Sequence, residues 1–176
     1  ETINRNDVDK TNVAIIGISF GGSLLLKATL DERIKSNPPR SMLMYGSCFD
    51  LVAGLNFLLT GEIKHNAEIA HIPPNDWGLT VLFHNFIKTV DTGFDTTKIQ
   101  AVLAARVADE LDEVEKLKAS LSNHDFQFVD SVLTAKYTPE IAKIVKKIIK
   151  SQSDSLKEVS PSSFCEKIDM KIFIMH

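Results

Sequence analysis

Val13-Ala14-Ile15-Ile16-Gly17-Ile18-Ser19-Phe20-Gly21-Gly22-Ser23-Leu24-Leu25-Leu26-Lys27-Ala28-Thr29-Leu30 begins as a continuous apolar run, passes through a turn of G-x-S-x-G form and continues as an apolar helical stripe. The run Val13 to Ile16 is that of a parallel strand covered on both faces, and Leu24, Leu25 and Ala28 recur at helical spacing. A serine forced into such a strand-to-helix bend has strained backbone angles, and its hydroxyl stands clear of the sheet edge. Gly17 and Gly21, two before and two after Ser19, let strand and helix pass closely, and Gly22 extends the small-residue patch, which suits close helix–strand packing. The bend also aims the Phe20 N–H at the place where a tetrahedral intermediate would carry its negative oxygen, with the helix dipole adding to the effect. Ser19 is therefore the candidate nucleophile and Phe20 the candidate oxyanion donor. The five-residue pattern alone recurs by chance in roughly one chain in seventeen of this length, so its weight comes from the strand before it and the helix after it. The competing reading is a glycine-rich turn in which Ser19 only caps the helix.

The stretch resembles the α/β-hydrolase family, serine esterases and lipases among them, whose members carry a strand, G-x-S-x-G and a helix in this arrangement. A second resemblance lies at the other end. Ser160-Pro161-Ser162-Ser163-Phe164-Cys165-Glu166-Lys167-Ile168, followed by an apolar strand from Met170 to His176, is similar to the family's approach to the strand that precedes its catalytic acid. The resemblance implies that His176 is a non-catalytic marker at that strand end, and that the acid and the catalytic histidine follow it. The family's earlier strands, and the loop that gives the second oxyanion donor, would precede Glu1. The chain then reads as an internal piece of a hydrolase, with the remainder of the domain needed on both sides. On its own it is expected to be inactive, because a serine hydroxyl needs a neighbouring base.

Residues from Glu1 to Thr11 are polar and read as the loop feeding a strand from about Asn12 to Ile18, with a helix from about Phe20 to Asp31. Asn37-Pro38-Pro39-Arg40 bars helix and sheet alike, since neither proline donates an N–H. Ser41-Met42-Leu43-Met44-Tyr45-Gly46 is the next parallel strand. From Asp50 to Val159 the periodicities are helical. Leu103, Val107, Leu111, Val114, Leu117 and Leu121 recur every three or four residues opposite an acidic face, as in one long amphipathic helix. A shorter helix spans about Leu79 to Val90. Thr138-Pro139 forms an N-cap and first helical residue before the stripe of Ile141, Ile144, Val145, Ile148 and Ile149.

A crossover between parallel strands needs only about a dozen residues. The excess predicts a cap, which the resemblance places over the active site. The expected fold is α/β, part of a doubly wound, mostly parallel sheet, with 1–49 and 160–176 in the core and an all-helical cap over 50–159.

With 176 residues, 44% hydrophobic content and a net charge of −3, the chain fits a globular domain and not a nucleic-acid binder. No run of eighteen apolar residues marks an integral membrane segment. The five histidines lack metal-ligand spacing, and neither a metal nor another cofactor is expected. His124-Asp125 is a weak acid–base pair, because adjacent residues seldom face each other. Cys48 and Cys165 are too few for a disulfide framework, which favours a reducing, cytoplasmic residence. Asp50 has two readings, the alternative triad acid of some family members and the cap of a helix starting near Leu51. Trp77, Phe83 and Phe86 are candidates for lining a substrate pocket, with packing between helices as the alternative. The lysine-rich face from Lys136 to Lys150 reads as solvated.

These features make the leading expectation a serine hydrolase of a small-molecule carboxylic ester or related acyl bond. A non-catalytic hydrolase-like protein that binds a ligand or partner is the alternative, and an acyltransferase the third.

Overall fold

A computed structural model describes residues 5–65, 68–73, 75 and 77–175. It is a mixed α/β structure with, among the described residues, nine α-helices, a three-stranded parallel sheet and a two-stranded antiparallel hairpin. The chain divides into two compact units, one made of residues 1–54 and 154–176, the other of 55–153.

The first unit is built on strands β1 (Ala14–Ile18), β2 (Ser41–Tyr45) and β5 (Ile172–Met175), parallel and in the order β1-β2-β5. Ile18 pairs with Tyr45, and Tyr45 with Met175, so the three strands end in one row. Helices α1 (Phe20–Ala28) and α2 (Glu32–Ser36) connect β1 to β2. The expected single helix to Asp31 stops at Ala28, and Asp31 instead caps α2 by accepting from the Arg33 N–H. Met42 and Met44, each 1% exposed, form the unit's small core with Leu26 and Phe164. The opposite sheet face is different: Ile16, Ile18, Tyr45, Phe173 and Met175 are all exposed. Among the described residues, cover for the apolar run at Val13–Ile16 lies on the sheet face that carries Met42 and Met44.

The second unit has its own core. Helices α4 (Gly78–Phe86), α5 (Thr96–Val107), α6 (Leu111–Ala119), α7 (Asn123–Leu133) and α8 (Pro139–Ser151) bury Leu79, Phe83, Ile99, Leu103, Val129, Ile141 and their neighbours. Thr138 caps α8 through the Ile141 N–H, with Pro139 in the first turn. The flanking helices α3 (Leu51–Thr60) and α9 (Ser153–Val159) straddle the division between the units.

Two expectations about this region are corrected. The segment is not all helical, because β3 (Glu62–His65) and β4 (Glu68–His71) pair as an antiparallel hairpin, Ile63 against Ala70. Four-residue strands present only two residues per face, too few for alternation to stand out from a helical period. The long helix through Leu103 and Leu121 is in fact two, α5 and α6. The break is a Schellman turn: the Glu110 N–H donates to Ala105 O at 3.0 Å, the Asp109 N–H to Arg106 O at 3.2 Å, and Asp109 sits at φ +61°. Val107 and Leu111, which straddle the break, are 45% and 58% exposed, so the stripe continues in sequence while the packed face does not.

Helix α7 ends in the same way, with Lys136 N–H to Ser131 O at 2.8 Å, Ala135 N–H to Val132 O at 3.2 Å, and Ala135 at φ +53°. Glycine is the residue usually found at this position. Because Ala135 is only partly buried and its side chain is a single methyl group, Ala135→Gly is expected to stabilise the protein by about 0.5–1 kcal/mol, the relief of left-handed strain exceeding the gain in unfolded-chain entropy and the small loss of methyl burial. Urea unfolding would show this as a higher midpoint at unchanged slope, and a lower midpoint would contradict it.

Candidate active site

Ser19 follows the last residue of β1 and stands at the N-cap position of α1 with φ +52° and ψ −131°. A non-glycine residue rarely adopts this region of φ/ψ space, which costs of the order of 1–3 kcal/mol and is held only by its surroundings. Those surroundings are explicit. The Ser19 N–H donates to Tyr45 O at 2.9 Å, and Ser19 O accepts from the Gly22 N–H at 3.0 Å. The side chain makes no capping hydrogen bond, and the residue is exposed. The hydroxyl is thus not spent on the cap, the role that the simpler reading assigned to it.

Phe20 is the first residue of α1. Its N–H belongs to the turn that helix geometry leaves without intrahelical acceptors, and its ring is 48% exposed. Phe20 and Ser19 therefore present a donor and a hydroxyl from one turn.

The glycines divide unexpectedly. A Cβ on Gly17 would fall 2.6 Å from Gly22 Cα, and one on Gly22 would fall 1.8 Å from Ser47 Oγ, whereas one on Gly21 would meet nothing within 4 Å. The close approach of strand and helix runs through Gly17 and Gly22. Gly21, the residue that completes the sequence pattern, takes no part in it. Ser23, fully buried, donates its hydroxyl to Cys48 O at 3.0 Å and ties α1 to the chain after β2.

Asp50 accepts from the Ala53 N–H at 2.8 Å and from the Ser162 hydroxyl at 3.4 Å, so its carboxylate caps the start of α3. Cys48 is a free, half-buried thiol whose pKa is pushed up by burial and, secondarily, by the Asp50 charge. That keeps it protonated at neutral pH and poorly nucleophilic.

The aromatic candidates lie in the second unit and are engaged in packing. Phe83 is completely buried, edge-on to Phe128 at 5.1 Å. Phe86 packs partly buried against the same core, and Trp77 carries the Arg106 guanidinium 4.3 Å from its ring centroid. His124 and Asp125 do not pair. His124 stacks on Phe94 at 4.4 Å and faces Glu140 at 3.6 Å, while Asp125 accepts from the Ser122 hydroxyl at 2.7 Å. A cavity of about 350 Å³ opens between the helices there, lined by residues that include His124, Phe128 and Glu140.

His176 lies outside the described residues, and the described residues of the Ser19 unit include no histidine. No group of three His, Cys, Asp or Glu among the described residues is placed to hold a metal ion, and none of their helices is long and apolar enough to cross a membrane.

Compared with family models, with curated proteins and with solved structures, the chain matches none.

Proposed function

We propose that Ser19 is the nucleophile of a serine hydrolase that cleaves a carboxylic ester or related acyl bond, in a domain of α/β-hydrolase type. The observation that carries this reading is the Ser19 backbone: an exposed serine at positive φ, between a parallel strand and a helix, whose hydroxyl does not cap that helix. The parallel order β1-β2-β5, with residues 55–153 placed in sequence between β2 and β5, supports the fold-level part of the proposal.

In the proposed reaction Ser19 Oγ attacks the substrate carbonyl carbon while a histidine base takes its proton. The carbonyl oxygen becomes an oxyanion that accepts from the Phe20 N–H, and the leaving alcohol departs with the proton returned by the base. Water, deprotonated by the same base, then attacks the acyl-enzyme and frees the acid and Ser19. The base comes from a segment other than the described part of the Ser19 unit. Asp50 remains a secondary choice as the acid that orients it, since using it so would cost α3 its cap.

A p-nitrophenyl ester presented to the full-length protein should give a burst of nitrophenol of at most one equivalent, followed by slower turnover. Ser19→Ala should remove the burst and lower kcat by about a thousandfold or more. Turnover that survives Ser19→Ala would overturn the assignment.

A further inference from the structure

We propose that Ser47 is a positioning residue for the Ser19 elbow: it fills the space that a side chain on Gly22 would occupy and so fixes the first turn of α1 against β1. The inference rests on the reading of Ser19 as the nucleophile. A Cβ on Gly22 would lie 1.8 Å from Ser47 Oγ, 2.9 Å from Ser47 Cβ and 3.3 Å from Gly17 O. Gly22 is held between the strand on one side and Ser47 on the other.

The wedge is itself anchored. Gly46 turns the chain at φ +58°, and its N–H donates to Met175 O at 2.9 Å, fixing the start of the 46–48 segment to β5. On either side of Ser47 the chain reaches back to the elbow: Tyr45 O accepts from the Ser19 N–H, and Cys48 O from the Ser23 hydroxyl. Ser47 Oγ is buried and, among the described residues, is the one buried side-chain polar atom without a hydrogen-bond partner.

Leaving a buried hydroxyl unpaired costs free energy, so its contribution here is not a hydrogen bond. It is contact. The first turn of α1 carries the Phe20 N–H, and displacing that donor by a fraction of an ångström weakens its hydrogen bond to the oxyanion. Ser47 acts on the reaction through Gly22 and touches no substrate.

The test compares the full-length wild type with Gly22→Ala, Ser47→Ala and the double variant Gly22→Ala/Ser47→Gly, reading Tm and the rate of Ser19 labelling by a fluorophosphonate. Gly22→Ala should lose several degrees of Tm and label about tenfold or more slowly. The double variant removes both Ser47 atoms that clash and places the new methyl in the vacated space. It should recover most of the Tm and label within about threefold of wild type. Ser47→Ala should keep its Tm, having lost an unpaired hydroxyl, yet label about three- to tenfold more slowly, a separation that a purely structural role would not produce.

A double variant no better than Gly22→Ala, or Ser47→Ala labelled at the wild-type rate, overturns the proposal. If Gly22→Ala yields no folded protein, a folded double variant is the rescue and an unfolded one the contradiction. A wild type that takes no label at Ser19 rejects the nucleophile reading, while the Tm values still decide whether Ser47 and Gly22 form the wedge.

Discussion

Phe83→Ala is expected to destabilise the helical unit by about 3–5 kcal/mol, the range for removing a fully buried aromatic ring from a packed core. Phe83 has no exposed surface, meets Phe128 edge-on and belongs to the cluster formed by Leu79, Val102, Leu103, Val129 and Ile141. Truncation removes the apolar area of the ring and leaves a cavity that neighbours on several helices can only partly close. Urea unfolding should show the midpoint falling at constant slope. A loss below about 1 kcal/mol, accompanied by a changed KM for ester substrates, would instead return Phe83 to the pocket-lining role that its sequence context suggests.

Gly17→Ala is expected to have the largest effect on the elbow. The added Cβ would stand 2.6 Å from Gly22 Cα, 3.1 Å from Gly22 N and 3.2 Å from Met44 Sδ. Two of these atoms are backbone and cannot rotate away, so helix α1 must move off the strand or the strand must bend. Overpacking of this kind costs about 1–3 kcal/mol and occasionally more, and the displacement falls on the turn that carries Ser19 and Phe20. Both Tm and labelling of Ser19 should drop. Gly21→Ala supplies the contrast in stability: its Cβ meets nothing and it lies in helix α1, so Tm should hold or rise slightly, by the difference in helix propensity. Equal losses of Tm for the two variants would mean that the close approach has been placed at the wrong glycine.

The strand-turn-helix around Ser19 was legible because three local signals agree there: an apolar run, small residues at the bend and a helical stripe after it. The parallel partner Ser41–Tyr45 and the cap Thr138-Pro139 were legible for similar reasons, each resting on a run or on the chemistry of one or two residues. Other features were not, and the causes are physical. Periodicity reports which face of a helix is apolar but not where the helix stops, and the stop after Val107 uses Asp109 at φ +61° where glycine would have announced it. The break after Leu133 uses Ala135 in the same way.

The G-x-S-x-G pattern gives equal weight to Gly17 and Gly21. The close approach pairs Gly17 with Gly22, the glycine that extends the small-residue patch, and leaves Gly21 out; the second contact of Gly22 depends on the chain after β2, distant in sequence. Ser47 carried no signal at all in the sequence, since a serine after a strand is ordinary until its neighbour is known to be Gly22. Phe83 and Trp77 show a further limit: an aromatic residue's burial, or the Arg106 cation over its ring, depends on partners that other helices deliver.

The proposed role of Ser19 rests on its combination of strained backbone, exposure and unspent hydroxyl, and the direct test is covalent. The full-length protein is treated with a fluorophosphonate, digested, and the modified peptide sequenced by mass spectrometry, with Ser19→Ala alongside. One adduct is expected, on Ser19, absent from the variant. A folded wild-type protein that stays unmodified, or an adduct on another serine that persists in Ser19→Ala, would contradict it.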